Sequence, residues 1–228
     1  MSTKPGLLAL VGGGEWREGA SFDRELLERG GGDVLVLPTA AAFENPSRAV
    51  EAARAWFESL GGRANALMVL HKPEADDPAN AERIMMSRFI YLSGGSPLHL
   101  RSVLKGSRVW KALVDAWRSG AVVAGSSAGA MVMCDPMVDP RGGAFTVGLG
   151  MVEQLAILPH YDAKTDRPAP HSKAHRTITL AGSRFPVACI PERTALLRDP
   201  NGSWREAGEG DVHVFLGESK LSVNELQN

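Results

Sequence analysis

The chain has 228 residues, 44% of them apolar and 22% charged, enough to build a substantial core without disulfides or metal. Its net charge is −1 with both signs interspersed, which excludes the basic field that gathers phosphate backbone or an anionic membrane. Cys134 and Cys189 stand far apart with no CxxC spacing, so they read as two reduced core thiols rather than a framework or metal site.

In chain order, the first apolar run covers residues 7–11 and stops at Gly12, too short for a signal-peptide core or a membrane span. Similar short, strand-like runs follow at 34–37, 66–70, 89–92 and 122–124. Between them lie helical patterns. One starts with Asn45 as cap and Pro46 as first residue, lines up Val50, Ala53, Phe57 and Leu60, and stops at Gly61. Another has Ser107 as cap, Val109, Trp110, Leu113, Val114 and Trp117 as its apolar face, and Gly120 as its stop. Strands apolar on both faces, alternating with helices, predict an α/β fold with a mostly parallel sheet covered by helices on both sides. After residue 136 the predicted elements become extra strands at 155–158, 177–180, 194–197 and 212–215, joined by Pro/Gly/Asp-rich loops on the same single domain spanning 1–228. Residues 162–173 read as a mobile loop.

The strongest chemical signal is the run from Val122 to Ala130, in which a buried strand enters Gly125-Ser126-Ser127-Ala128-Gly129 and then a helix. This is a nucleophile elbow, with small residues on both sides of Ser127 and its hydroxyl at the start of a helix. A serine hydroxyl needs a base, and His160 closes a strand-like run where active-site residues of open α/β sheets gather. His71 and His99 read as loop and helix-surface residues, and His171 and His175, four apart, as part of a solvated loop without a third metal ligand. Glu192 is the candidate acid to orient the imidazole, although read locally it is a surface glutamate paired with Arg193. An oxyanion hole needs two N–H groups: Ala128 follows the nucleophile, and Gly95, after the strand at 89–92 and before a helix capped by Ser96 with Pro97 first, is the natural second donor.

These stretches, from Leu10-Val11-Gly12-Gly13-Gly14-Glu15 through Leu92-Ser93-Gly94-Gly95, the elbow and Pro159-His160-Tyr161-Asp162 to Pro191-Glu192-Arg193-Thr194-Ala195, resemble the cyanophycinase and aspartyl dipeptidase (peptidase E) family of serine peptidases. That family is similar in fold to the class I glutamine amidotransferases. The resemblance implies Ser127 as nucleophile, His160 as general base, Glu192 as orienting acid, and Gly95 with Ala128 as oxyanion donors. Ser96 and Asp162, beside these motifs, are the candidate substrate-binding residues. The resemblance further implies a peptidase acting on a small peptide, dipeptides with amino-terminal aspartate among the candidates, with no cofactor or metal; the reduced thiols and the short first apolar run point to a cytoplasmic location, the balanced charge to neither nucleic acid nor membrane as partner, and a homodimer is an allowed assembly. Two other readings stand beside it: an esterase or amidase acting on a non-peptide acyl group, and a non-catalytic module that holds an anion on Gly12 to Gly14 and the helix start after Ser127.

Overall fold

The computed structural model describes residues 4–161 and 168–226. Its centre is a seven-stranded sheet built from β1 (Leu8–Val11), β2 (Asp33–Leu37), β3 (Arg63–Ala66), β4 (Phe89–Leu92), β5 (Val122–Ser126) and two strands from the second half of the chain. The first five pair in parallel in the order β1-β5-β4-β2-β3. Successive residues serve opposite faces. Leu8, Leu10, Leu35, Leu37, Ile90, Leu92 and Val123 belong to one core, while Leu7, Ala9, Val11, Val34, Val36, Phe89, Tyr91 and Ala124 belong to the other. That alternation is why the strands read as continuous apolar runs.

Helices α1 (Phe22–Arg29) and α2 (Pro46–Ser59) cover the second face through Phe22, Leu26, Ala53 and Phe57. Helices α3 (Lys72–Asp76), α4 (Pro78–Met85), α5 (Pro97–Leu104), α6 (Arg108–Arg118) and α7 (Ala128–Met133) lie on the first. The caps are those the sequence predicts: the Asn45 side chain accepts from Arg48 N–H, the Ser96 hydroxyl from His99 N–H and the Ser107 hydroxyl from Trp110 N–H. Each satisfies one of the N–H groups that a helix start leaves without an acceptor.

The second half adds β6 (Ala156–Pro159), α8 (Lys173–Ala181), β7 (Val187–Ile190), β8 (Thr194–Arg198), β9 (Trp204–Gly208), β10 (His213–Leu216) and β11 (Ser219–Leu221). Strand β8 returns to the central sheet antiparallel to β1, with β9 outside it. The others form a separate sheet in the order β6-β7-β10-β11, in which β6 and β7 run parallel with Pro159 beside Ile190. This places the chain exits toward His160 and Glu192 next to each other.

Two expectations are corrected. The run at 177–180 is helical, because Ser172 caps a helix at His175 N–H and α8 buries Thr177, Ile178 and Ala181 against β7 and β10. Burial of that face overrides the strand propensity of Thr-Ile-Thr. His175 is therefore on a helix, not in a loop. The run at 66–70 is strand only at its first residue. Beyond it the Thr39 hydroxyl donates to Val69 O and the His99 ring contacts Leu70 O at 2.8 Å, so side chains occupy carbonyls that a longer β3 would use. Cys134 and Cys189 are buried and unpaired, and burial pushes both thiols well above the ordinary range. No helix among the described residues is long and apolar enough to cross a membrane.

Candidate active site

The carboxyl ends of β1, β4 and β5 open onto one cleft of about 740 Å³, lined among others by Glu15, Trp16, Arg17, Arg48, Gly95, Ser127, His160 and Glu192. Ser127 sits where β5 becomes α7, with φ 48° and ψ −104°. Such a conformation costs about 1–3 kcal/mol for a residue with a side chain. The surroundings hold it: Ser127 N–H donates to Val11 O at 2.8 Å, and α7 packs directly on the strands. A Cβ at Gly125 would lie 2.5 Å from the Met133 methyl, and one at Gly129 2.6 Å from Leu92 O, so the small residues flanking the serine are required by packing.

Ser127 Oγ lies 2.8 Å from His160 Nε2, and His160 Nδ1 lies 3.0 Å from Glu192 Oε1. The imidazole and carboxylate reach the serine from a different sheet, through the adjacent ends of β6 and β7. The local reading of Glu192 as a partner of Arg193 is corrected, since Arg193 Nε donates to Glu209 Oε2 at 2.6 Å. Arg193 has φ 55°, and its N–H donates to Gly13 O at 2.8 Å, so the chain turns between the two side chains.

The glycine triplet after β1 is the bed on which these groups rest. Gly12 O accepts from His160 N–H at 2.8 Å. A Cβ at Gly13 would lie 2.6 Å from His160 Nδ1, and one at Gly14 would lie 3.2 Å from Glu192 Oε2. The space that the anion-binding reading would give to a ligand is filled by the imidazole and the carboxylate, which counts against that reading.

Gly95, with φ 133°, borders the cleft beside Ser127, and a Cβ there would collide with the Ala40 carbonyl. Ala128 is the first residue of α7, so its N–H has no acceptor within the helix. The Ser96 hydroxyl accepts from His99 N–H as the α5 cap, and Asp162 lies outside the described residues. Residue reasoning assigned no role to Glu15. Its Oε1 accepts from Gly94 N–H at 3.0 Å and its Oε2 from the Ser126 hydroxyl at 2.7 Å. The signal was present in Gly12-Gly13-Gly14-Glu15, but spacing alone does not say what that carboxylate reaches.

The model of peptidase family S51 matches residues 8–202. An uncharacterized peptidase of Bacillus subtilis (strain 168) is 34% identical over 116 residues, which is 50% of this chain and 49% of that protein. The match thus spans about half the length of that relative. A cyanophycinase of Synechococcus elongatus is 24% identical over 219 residues, 92% of this chain and 67% of that protein. Among solved structures, a peptidase from an acI-B1 actinobacterium is similar with a TM-score of 0.83 and 29% identity, over 97% of this chain and 95% of the other. A putative peptidase E protein from Listeria monocytogenes EGD-e shares the fold, with a TM-score of 0.63 and 20% identity over 96% and 100% of the two chains.

Proposed function

The chain belongs to peptidase family S51, and from that premise we propose that it is a cytoplasmic serine peptidase that hydrolyses short peptides through Ser127, His160 and Glu192. The observation that carries the proposal is the chain of two hydrogen bonds, 2.8 Å from Ser127 to His160 and 3.0 Å from His160 to Glu192, at a strained strand-to-helix turn. A hydroxyl in contact with an imidazole that is itself held by a carboxylate is the arrangement nucleophilic acyl transfer requires.

In this mechanism Ser127 Oγ attacks the scissile carbonyl carbon while His160 Nε2 takes the hydroxyl proton. Glu192 keeps the other ring nitrogen protonated and stabilises the imidazolium. The N–H groups of Gly95 and Ala128 hold the oxyanion. When the tetrahedral intermediate collapses, His160 gives its proton to the departing amine and the acyl group stays on Ser127. Water then attacks the ester with His160 again as base, which frees the acid and restores the serine. Every step is carried by side chains and backbone amides of this chain.

The substrate is proposed to be a dipeptide, with aspartate as its amino-terminal residue. Arg17 and Arg48 line the cleft and are exposed. Glu15 and Glu192, two of the cleft's acids, are engaged by Gly94, Ser126 and His160. Guanidinium groups are matched to carboxylates, and such a peptide offers two. A library of dipeptides and tripeptides read by mass spectrometry, run beside a panel of chromogenic esters, tests this. Cleavage of dipeptides beginning with aspartate is the expected result, and turnover of esters alone would replace the peptidase reading with an esterase.

A further inference from the structure

The segment from Val11 to Glu15 contacts the stretches that carry Ser127, His160, Glu192 and Gly95. Val11 O accepts from Ser127 N–H, Gly12 O from His160 N–H and Gly13 O from the N–H of Arg193, the residue after Glu192, each at 2.8 Å. Glu15 completes the set with its side chain. One carboxylate oxygen takes the N–H of Gly94, the residue before the Gly95 donor, and the other takes the hydroxyl of Ser126, the residue before the nucleophile.

Strands β4 and β5 pair directly as far as Leu92 and Gly125, and beyond that pair begin the turn at Ser93 to Gly95 and the elbow. The turn at Ser93 to Gly95 is anchored on its far side by Ser96 N–H donating to Ala40 O at 2.8 Å. Toward the nucleophile, the Glu15 carboxylate extends the β4–β5 pairing by bridging Gly94 and Ser126. The approach is close enough to dictate sequence, since a Cβ at Gly94 would lie 2.9 Å from Glu15 Oε1. An oxyanion hole made of Gly95 and Ala128 N–H groups works only when its donors are about 2.7–3.1 Å from the developing charge, and these two donors stand beyond the ends of neighbouring strands, Gly95 in the turn after β4 and Ala128 at the start of α7. The Glu15 bridge joins the residue before Gly95 to the residue two before Ala128.

Resting on the peptidase reading above, we infer that Glu15 is a positioning residue: its carboxylate spans Gly94 and Ser126 and sets the separation of the two oxyanion donors. It does not touch the reacting atoms. Its effect is on transition-state stabilisation rather than on ground-state binding, so it should act on kcat and leave KM nearly alone.

The test compares the wild type with Glu15→Ala, Glu15→Gln and Ser126→Ala. Each is measured for kcat and KM on the best dipeptide, and for the rate at which a fluorophosphonate labels Ser127 by intact mass. Glu15→Ala loses both bonds and should lower kcat and the labelling rate by about 10²-fold, the scale of a lost oxyanion donor, with KM within about threefold. Glu15→Gln still accepts from Gly94 N–H and can donate to a reoriented Ser126 hydroxyl, so it should recover most of that loss. Ser126→Ala keeps only the Gly94 end and should fall between, and it decides the matter if Glu15→Ala does not fold. Full kcat in Glu15→Ala or in Ser126→Ala overturns the inference, as does a loss confined to KM, or a Gln variant as impaired as the Ala variant. In each of those outcomes the wild type still reacts and the peptidase reading stands. A wild type that neither cleaves peptides nor takes the label overturns both.

Discussion

Replacing Gly13 by alanine should disable the site by displacing His160, the base of the proposed mechanism. A Cβ at this position would lie 2.3 Å from His160 Cε1 and 2.6 Å from Nδ1, whereas ordinary contact begins at 3.4 Å, so the ring must withdraw by about 1.1 Å. Moved that far along the line to Ser127, a hydrogen bond of 2.8 Å becomes one of about 3.9 Å, which is no longer a hydrogen bond. General-base assistance contributes about 10²–10⁴ in rate, and a displacement near 1 Å can cost about 10²-fold. The expected fall in kcat is therefore at least about 10²-fold. The backbone adds its own cost, because φ is 123° at Gly13 and a side chain there destabilises the fold by about 1–3 kcal/mol. Gly61 separates the two effects. It has φ 85° and nothing within 4 Å of an added Cβ, so Gly61→Ala should lose comparable stability in urea unfolding but keep its kcat. Dipeptide turnover and fluorophosphonate labelling supply the activity readouts. Wild-type kcat in Gly13→Ala, or an equal loss in Gly61→Ala, would refute the reasoning.

Asp23 should make stability fall as pH rises. It is fully buried, with Oδ2 accepting from Trp56 Nε1 at 2.9 Å, and burial raises its pKa from 3.8 to about 8. The folded chain thus keeps a proton that the unfolded chain releases, so this group's contribution is fully present below pH 3.8 and is lost progressively up to about pH 8, at no more than about 1.4 kcal/mol per unit. Asp23→Asn keeps the Trp56 acceptor and should flatten the dependence; parallel urea-unfolding profiles for the two proteins between pH 5 and 8 would contradict this. Asn45→Ala removes the α2 cap and should cost about 0.5–2 kcal/mol, read as a lower thermal midpoint, and an unchanged midpoint would show that the cap adds nothing. Arg48→Ala should raise KM for dipeptides more than it changes kcat, and a variant with wild-type KM would remove Arg48 from substrate binding.

Where local rules decide the structure, the sequence was readable. Asn45, Ser96 and Ser107 cap the helices their positions suggest, and the elbow at Ser127 has the strained turn its small neighbours predict. The fold class followed from strands apolar on both faces. Elements set by distant partners were less legible. The run at 177–180 has the composition of a strand and becomes helix because its Ile178 and Ala181 face is buried against another sheet. Glu192 is the exposed acid its local sequence suggests, but its partner is not Arg193, and the Glu209 partner of that arginine with the pairing of Pro159 and Ile190 explains why it faces His160 instead. The bridging contacts of Glu15 are further still from local pattern, since Gly94 lies 79 residues away and Ser126 lies 111 away.

The account stands on Ser127, His160 and Glu192 acting as one unit, and a comparison of turnover in Ser127→Ala, His160→Ala and the double variant tests that most directly. Ser127→Ala alone should lower kcat by about 10⁴–10⁶ with little change in stability, and adding His160→Ala should cost almost nothing more, because members of such a unit are not additive. Turnover that survives in Ser127→Ala, or two losses that simply multiply, would contradict it.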